Sequence, residues 1–277
     1  MAPGRSRPYG TKMAGVPAGR AVGPLVKDWR LRRGRSQMDL AFDVGVSPRH
    51  LSFVETGRSR PSPELLLALA EHLEVPLRER NAFLLAAGYA PRYRQTGLDD
   101  ARMVRVRQSL QRLLDSHAPY PGIVVDRLWN AVLANHTAQR IAETLPAELA
   151  GPPMNVFRAC LHPDGLANRT EDFSGWAAYL LGELHRLVVM TADPEAQRLA
   201  DEVSRYPNVA ALGGWREAVP AEEPALWVPW RLNMGGEQWS FFTTMTTFGT
   251  PQDITLAELA VELFYPADDA TEARLRA

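Results

Sequence analysis

Residues 37–54 constrain the fold more than any other part of this 277-residue chain. If Gln37 begins a pair of short helices, Ala41 falls where the helices cross and a larger side chain would separate them. Gly45 falls at the turn, where the backbone favours a positive φ that glycine adopts without steric cost. All seven diagnostic positions carry the required residue type, which predicts a helix-turn-helix whose apolar positions are Leu40, Val44, Val46, Leu51 and Val54.

Capping residues extend this pair to five short helices over residues 22–88. Ser36, with Asp39 three residues later, has the spacing of a capping box. Ser47 and Ser62 are each followed by proline, which is favoured at the first position of a helix. The helix ends are marked by glycines, and the short connections predict a compact all-α bundle; these glycines are Gly34, Gly45, Gly57 and Gly88.

Charge is distributed unevenly along the chain. Residues 1–94 carry 16 Lys/Arg against 8 Asp/Glu, whereas residues 95–277 carry 15 against 24. A basic segment beside an acidic remainder indicates a polyanionic partner for the first part alone, although small basic domains are also common. Together with the helix-turn-helix, the charge predicts binding to double-stranded operator DNA.

In a helix-turn-helix the second helix enters the major groove with its N-terminal residues toward the base edges. Arg49 is the best candidate for reading a base, because a guanidinium bonds guanine O6 and N7 together. Phe53 contacts a thymine methyl or fills the core, and His50 faces the DNA or the bundle. The predicted base contacts are Ser47, Pro48, Arg49, His50, Ser52 and Phe53. The predicted phosphate contacts are Gln37, Arg58 and Arg60, and for the two arginines the alternative is a solvated surface charge.

The pattern changes after residue 97. Residues 98–117 have the spacing of one amphipathic helix, and residues 123–125 and 129–133 have that of two strands. Residues 135–144, 176–191 and 195–206 are predicted helices. Residues 226–233 and 238–247 are rich in β-branched and aromatic side chains around Gly235-Gly236, which predicts a hairpin. Residues 256–264 fit a closing strand or a helix equally well.

Six of the seven tryptophans lie in residues 119–277. An acidic, aromatic-rich domain that follows a DNA-binding domain is a reasonable effector sensor, although each of these side chains also fits a simple core position. The predicted ligand pocket consists of Val125, Trp129, Phe157, Trp176, Leu180, Leu184, Trp227, Trp239 and Phe241.

Catalysis is not indicated by the remaining motifs. The six histidines have no zinc-ligand spacing, and no phosphate-binding loop or nucleophile motif is present. We therefore expect no enzyme activity, no metal and no cofactor. The single cysteine, Cys160, fits a reducing cytoplasm, and no apolar run is long enough for a membrane span or a secretory signal.

Several segments resemble one known family. The stretch SQMDLAFDVGVSPRHLSFVETGRSRPSPELLLALAEHLEVP resembles the Xre-type helix-turn-helix. The further segments RERNAFLLAAGYAPRY, GIVVDRLWNAVLANHTA, LHPDG and FGTPQDITLAELAVELFYPADDAT are similar to transcription regulators of the MmyB-like type. This resemblance, over residues 22–272, implies a C-terminal PAS-like domain with an antiparallel sheet, and a fatty-acid-like ligand in it.

The sequence thus predicts a multi-domain cytoplasmic, nucleoid-associated regulator: an all-α bundle followed by an α+β PAS-like domain. The expected segments are a disordered basic arm (1–20), the DNA-binding domain (21–90), a linker and connecting helix (91–118), and the ligand-binding domain (119–277). A homodimer on a two-fold operator is expected, because one helix-turn-helix makes few base contacts. The alternative for the last domain is a protein-interaction module without a small-molecule ligand.

Overall fold

A computed structural model describes residues 21–213 and 228–277. The predicted arm at residues 1–20 and the predicted pocket residue Trp227 lie outside the described residues. The described chain divides into two units, of which the first contains residues up to Ala101 together with Thr250–Ala257 and the second contains the rest.

Within the described residues, the first unit has five α-helices ahead of residue 87, as the capping pattern predicts. Ser36, Ser47 and Ser62 each accept a hydrogen bond from the backbone N–H three residues later. These bonds satisfy N–H groups that have no partner inside the helix. The helices are α1 (Val22–Arg32), α2 (Gln37–Asp43), α3 (Pro48–Glu55), α4 (Pro63–His72) and α5 (Leu77–Ala86).

The helix-turn-helix packs closely at its small residues. Ala41 is fully buried, and Gly45 has φ of +70° at the turn between α2 and α3. A Cβ atom on Gly23 of α1 would lie 2.4 Å from the carbonyl oxygen of Val54, so only glycine permits this approach of α1 to α3. The apolar side chains of Leu40, Leu51 and Val54 fill the space between the helices without solvent exposure.

The second unit is an α+β fold, and the predicted PAS-like architecture with an antiparallel sheet is confirmed. Its described strands form one five-stranded sheet in the order β2-β1-β5-β4-β3, with every neighbouring pair antiparallel. Because β5 lies between β1 and β4, the strand nearest the C-terminus is the centre of the sheet. The strands are β1 (Gly122–Val125), β2 (Ala131–Ala134), β3 (Trp230–Met234), β4 (Glu237–Thr247) and β5 (Ala260–Pro266).

Helices of the second unit supply much of its core. Trp176 stacks on Trp230 with ring centroids 5.5 Å apart, which joins a helix to the sheet. The described helices of this unit are α6 (Val104–Ser116), α7 (His136–Ala142), α8 (Ala147–Ala150), α9 (Val156–Leu161), α10 (Phe173–Thr191), α11 (Pro194–Val203), α12 (Pro207–Ala210) and α14 (Asp269–Arg276).

Three of the predicted elements differ from the structure, and α8, α9, α12 and α14 were not predicted. The helix predicted at 98–117 is shorter, since Ala101–Met103 form a 3-10 turn before α6. Trp129 has φ of +62°, which no strand residue adopts, and β2 begins only at Ala131. The segment at 256–264, left open between helix and strand, contains the end of α13 (Ile254–Ala257) and most of β5.

The helix α13 and its flanking residues belong to the first unit, although the chain enters this segment from β4 and leaves it into β5. The carboxylate of Asp253 accepts hydrogen bonds from the backbone N–H of Thr96 at 3.1 Å and from its hydroxyl at 2.6 Å. The backbone N–H of Ile254 donates to the carbonyl oxygen of Arg94 at 2.8 Å. The β4–β5 connection is therefore held by specific bonds within the helical unit.

Candidate nucleic-acid interface and ligand pocket

The N-terminus of α3 is exposed at the surface of the first unit. Ser47, Pro48 and Arg49 are exposed, whereas His50, Ser52 and Phe53 are half-buried. The opposite side of α3 packs inward through its apolar residues. The six residues predicted to contact bases thus lie on one short helix and its cap, with an accessible N-terminal end.

Phe53 holds two arginines rather than filling the core. The guanidinium carbon of Arg49 lies 5.3 Å from the centroid of the Phe53 ring, and that of Arg58 lies 5.9 Å from it. The backbone N–H of Arg58 donates to the Phe53 carbonyl at 2.8 Å, which fixes the turn after α3. Cation–π contacts of this kind restrict the two guanidinium groups while leaving them exposed. The result is a positively charged platform beside the α3 N-terminus.

A buried ion pair fixes α3 against the helices behind it. Arg30 of α1 donates to both carboxylate oxygens of Glu55, at 2.6 and 2.9 Å. Gln37 of α2 donates to the same carboxylate at 2.7 Å. The hydrogen bond that Arg30 donates to Glu55 raises the pKa of Arg30, so the guanidinium stays charged. The sequence analysis missed this pair, although a glutamate on the inward face of α3 is an unusual residue that calls for a cationic partner.

The predicted phosphate contacts divide into two kinds. Arg58 lies on the platform beside α3. The guanidinium of Arg60 instead donates twice to the carbonyl oxygen of Ala87, at 3.1 and 2.7 Å, and stacks over the ring of Tyr89 at 4.6 Å. Arg60 therefore caps the C-terminal end of α5, and the side chain of Gln37 is engaged by Glu55.

A cavity of about 60 Å³ opens within the core of the second unit. Its walls come from β1, β3, β5, α7, α9 and α10 and are almost entirely apolar. Of the nine predicted pocket residues, Trp176 and Leu180 line it. Leu184 lines a separate groove of about 380 Å³, together with the polar side chains of Gln197 and Asp201. The other described members pack in the core beside the cavity or against that core: Val125, Trp129, Phe157, Trp239 and Phe241.

The cavity wall also contains a carboxyl group, that of Glu262, which the sequence analysis did not predict. It is 3% exposed, and its Oε2 atom has no hydrogen-bond partner among the described residues. Burial raises its pKa from 4.5 to about 7, which the Thr243 hydroxyl opposes and the Glu183 carboxylate reinforces. The Cys160 thiol nearby is buried as well, and burial raises its pKa to about 12, so it is unreactive at neutral pH.

A family model described as the MmyB-like transcription regulator ligand binding domain matches residues 106–277. This match covers more than half of the chain and includes all five strands of the sheet. The chain belongs to the MmyB-like transcription regulators. A second model, described as a helix-turn-helix, matches residues 26–80 of this MmyB-like regulator. Both parts of the resemblance predicted from the sequence are confirmed.

The MmyB-like regulator is also similar to curated proteins. It is 38% identical over 56 residues to the transcriptional regulator ClgR of two Mycobacterium tuberculosis strains, CDC 1551 / Oshkosh and ATCC 25618 / H37Rv. The aligned residues make up 20% of this chain and 50% of each relative. The chain thus spans about half the length of the curated relatives that it matches.

The described residues also bear on metal binding and membrane insertion. No group of three or more histidine, cysteine, aspartate or glutamate side chains in the described ranges has the arrangement of a metal site. No helix in the same ranges has the length and apolar character needed to cross a membrane. Membership of a family of transcription regulators implies a role other than catalysis.

Proposed function

We propose that this MmyB-like regulator binds a specific operator as a homodimer, and that a small apolar ligand in the cavity of its second unit modulates the binding. The observation that carries the proposal is the accessible N-terminus of α3 beside the Arg49–Phe53–Arg58 platform. Operator binding takes place in the cytoplasm, on nucleoid DNA. After a basic arm at residues 1–20, the proposed DNA-binding domain spans residues 21–90. A linker and connecting helix at residues 91–118 join it to the proposed ligand-binding domain at residues 119–277.

In this proposal α3 lies in the major groove and Arg49 reads a guanine. Ser47, Pro48, His50 and Ser52 approach the neighbouring base edges. Phe53 holds Arg49 in place and approaches a thymine methyl. Arg58 contacts the phosphate backbone, while Gln37 and Arg60 support the interface through the bonds they make to Glu55 and Ala87.

Sequence-specific binding is tested with an operator selected from a randomised duplex pool. Arg49→Ala is expected to weaken binding to the selected site by roughly 10- to 100-fold, the loss of one bidentate base contact, and to relax the preference at one base pair. Binding to a scrambled duplex should change much less. The matched control is Arg198→Ala on α11, an exposed arginine 68% accessible at its side chain. Wild-type affinity of the Arg49 variant for the selected site, with an unchanged preference for that site over the scrambled duplex, would contradict the assignment.

The homodimer is tested on the same complex. A dimer on a two-fold site protects two half-sites about one helical turn apart in a footprint, whereas a monomer protects one. Light scattering of the protein–DNA complex gives the stoichiometry independently. One protein chain per duplex, with a single protected half-site, would contradict the dimer.

Ligand modulation is supported by the apolar cavity and by the family model of a ligand-binding domain. The fatty-acid-like chemistry implied by the resemblance fits these apolar walls. A ligand that enters the cavity should raise the melting temperature and change the fluorescence of the stacked Trp176–Trp230 pair. It alters operator affinity only as far as it prefers one of two protein states. A domain that acts through protein contacts alone would respond to no apolar probe.

A further inference from the structure

Two polar atoms in the apolar cavity wall have no hydrogen-bond partner within the described residues. One is Oε2 of Glu262 on β5, and the other is Nε1 of Trp176 on α10. Both residues are less than 5% exposed. A buried polar atom without a partner typically costs on the order of 1–3 kcal/mol, so such atoms are rare in folded proteins unless something else satisfies them.

Both atoms belong to the same region of the cavity. The Cys160 thiol lies in the electrostatic field of Glu262 and beside the indole of Trp176, and all three residues line the cavity. The indole N–H is directed at this thiol, which is only a weak acceptor, and it makes no full hydrogen bond within the described residues. The wall therefore presents one strong hydrogen-bond acceptor and one donor, both beside the same thiol, on an otherwise apolar surface.

We propose that the cavity binds a small apolar alcohol, whose hydroxyl group donates to Oε2 of Glu262 and accepts from Nε1 of Trp176. This inference rests on the proposed function and specifies the ligand that modulates operator binding. A hydroxyl is suited to the site because one oxygen both donates and accepts a hydrogen bond. Burying the alkyl chain against Ile123, Leu180 and Phe264 supplies the rest of the affinity.

Other head groups fit these two atoms less well. Above pH 7, where Glu262 is largely ionised, a ligand carboxylate has no proton to donate to it, and it would enter a site where Glu183 already adds negative charge. An ammonium group donates but cannot accept, so the Trp176 N–H would remain without a partner. The two polar atoms of the wall thus favour an alcohol over a fatty-acid anion. The apolar walls alone would accept the alkyl chain of either.

The cavity volume limits the size of the alkyl chain. At about 60 Å³ it is smaller than the roughly 150 Å³ cavity known to admit a benzene ring. Chains of one or two carbons therefore fit without movement of the walls, whereas longer chains require the cavity to expand. A five-carbon alcohol has as many non-hydrogen atoms as benzene, so it is a probe that requires only a limited expansion.

The test compares 1-pentanol, pentanoate and pentylammonium on the full-length wild-type protein at pH 8. These probes share one alkyl chain and differ in the head group. Calorimetry and tryptophan fluorescence are expected to give 1-pentanol an affinity roughly 10-fold higher than that of either ion, the value of one to two hydrogen bonds. Pentanoate or pentylammonium binding as tightly as 1-pentanol would overturn the alcohol assignment and leave apolar sensing intact. A complete lack of binding by all three probes would overturn both.

Two variants test the individual atoms. Trp176→Phe keeps an aromatic ring but removes the N–H, and should weaken 1-pentanol binding roughly 3- to 10-fold. Its matched control is Trp239→Phe, which removes another buried indole N–H without a partner, on a side chain that does not line the cavity. Glu262→Gln removes the negative charge, and should narrow the difference between pentanol and pentanoate at pH 8. If the Trp176 and Trp239 variants bind 1-pentanol equally, or if Glu262→Gln leaves the selectivity unchanged, the proposed contacts are wrong.

Discussion

Among the described residues, each unit buries one glutamate, and the two carboxylates have opposite surroundings. Glu55 in the helical unit is 4% exposed and receives three hydrogen bonds from Arg30 and Gln37. Glu262 in the α+β unit is 3% exposed, faces a cavity and leaves one oxygen without a protein partner. The first group is fully satisfied by its own fold, whereas the second is satisfied only when a ligand enters.

This difference separates a scaffold from a binding site. A satisfied network holds α1, α2 and α3 in one arrangement, which a helix that reads bases requires. An unsatisfied carboxyl reduces the stability of the empty protein and is retained where it has another use. The difference between Glu55 and Glu262 should appear as opposite effects of substitution on protein stability.

The largest effect is expected from Arg30→Met, which leaves the Glu55 carboxylate buried without a cation. Removing one partner of a buried pair costs about 3–5 kcal/mol of the free energy of unfolding. Urea denaturation measures this loss, and operator binding should fall because α3 loses its support. Arg32→Met changes an exposed arginine of the same helix and serves as the control. A loss no larger than that of the control would mean that Glu55 does not depend on Arg30.

Glu262→Gln, unlike Arg30→Met, is expected to raise the free energy of unfolding at high pH. Because the pKa of Glu262 is raised from 4.5 to about 7 in the folded protein, the folded state holds a proton over this interval that the unfolded chain has released. The wild-type free energy of unfolding therefore falls as the pH rises from about 4.5 to about 7, and stays low above that range.

The glutamine variant lacks this loss. It should match the wild type near pH 4.5 and exceed it at pH 8 by about 2–3 kcal/mol, measured by urea denaturation across the range. The groups that surround the carboxyl and share its titration environment are Thr243, Glu183, Tyr179 and Cys160. Glu55→Gln, by contrast, should destabilise the protein at every pH. Parallel curves of the free energy of unfolding against pH for the wild type and Glu262→Gln would mean that burial does not raise the pKa of Glu262. The difference between Glu262 and Glu55 would then be unsupported.

A smaller effect is expected at Asp253, in the connection between β4 and β5. Asp253→Ala removes the hydrogen bonds that the carboxylate accepts from Thr96 and from the backbone N–H of Thr255, which should lower the stability of the first unit by about 1–2 kcal/mol. Since β5 carries Glu262 and begins at Ala260, shortly after this segment, we also expect the variant to reduce the effect of 1-pentanol on operator affinity. Binding of DNA and of 1-pentanol, measured separately, should persist.

The control is Asp201→Ala, an acidic residue on α11 in the second unit. If Asp253→Ala retains the full effect of 1-pentanol on operator affinity, the connection does not transmit ligand binding.

The helical unit was predictable because its constraints are local. Ala41, Gly45 and the three serine caps each act within a few residues of their position, so spacing alone identifies the helices. The hairpin was predictable for the same reason: Gly235 and Gly236 have φ of +63° and +88°, the conformation of a two-residue turn.

The cavity was not predictable in the same way, because its wall comes from six elements that are distant in the sequence. Aromatic content identified Trp176, but the same criterion selected Phe157 and Phe241, which fill the core. Glu262 escaped notice because a charged residue in a strand ordinarily faces solvent. It is buried because β5 is the central strand, and only the pairing of β5 with β1 and β4 reveals that position.

The smallest effect distinguishes two neighbouring arginines. Arg58 lies on the platform beside α3, whereas the Arg60 guanidinium is bound to the Ala87 carbonyl. If Arg58 contacts one phosphate, Arg58→Gln should reduce the slope of log affinity against log salt concentration by about 0.9, with the protein's stability unchanged. Arg60→Gln should leave the salt slope nearly unchanged and lower the stability by about 1 kcal/mol, because the end of α5 loses its cap. Binding isotherms from 50 to 300 mM salt decide between these outcomes, and a reversed pattern would exchange the roles of the two arginines.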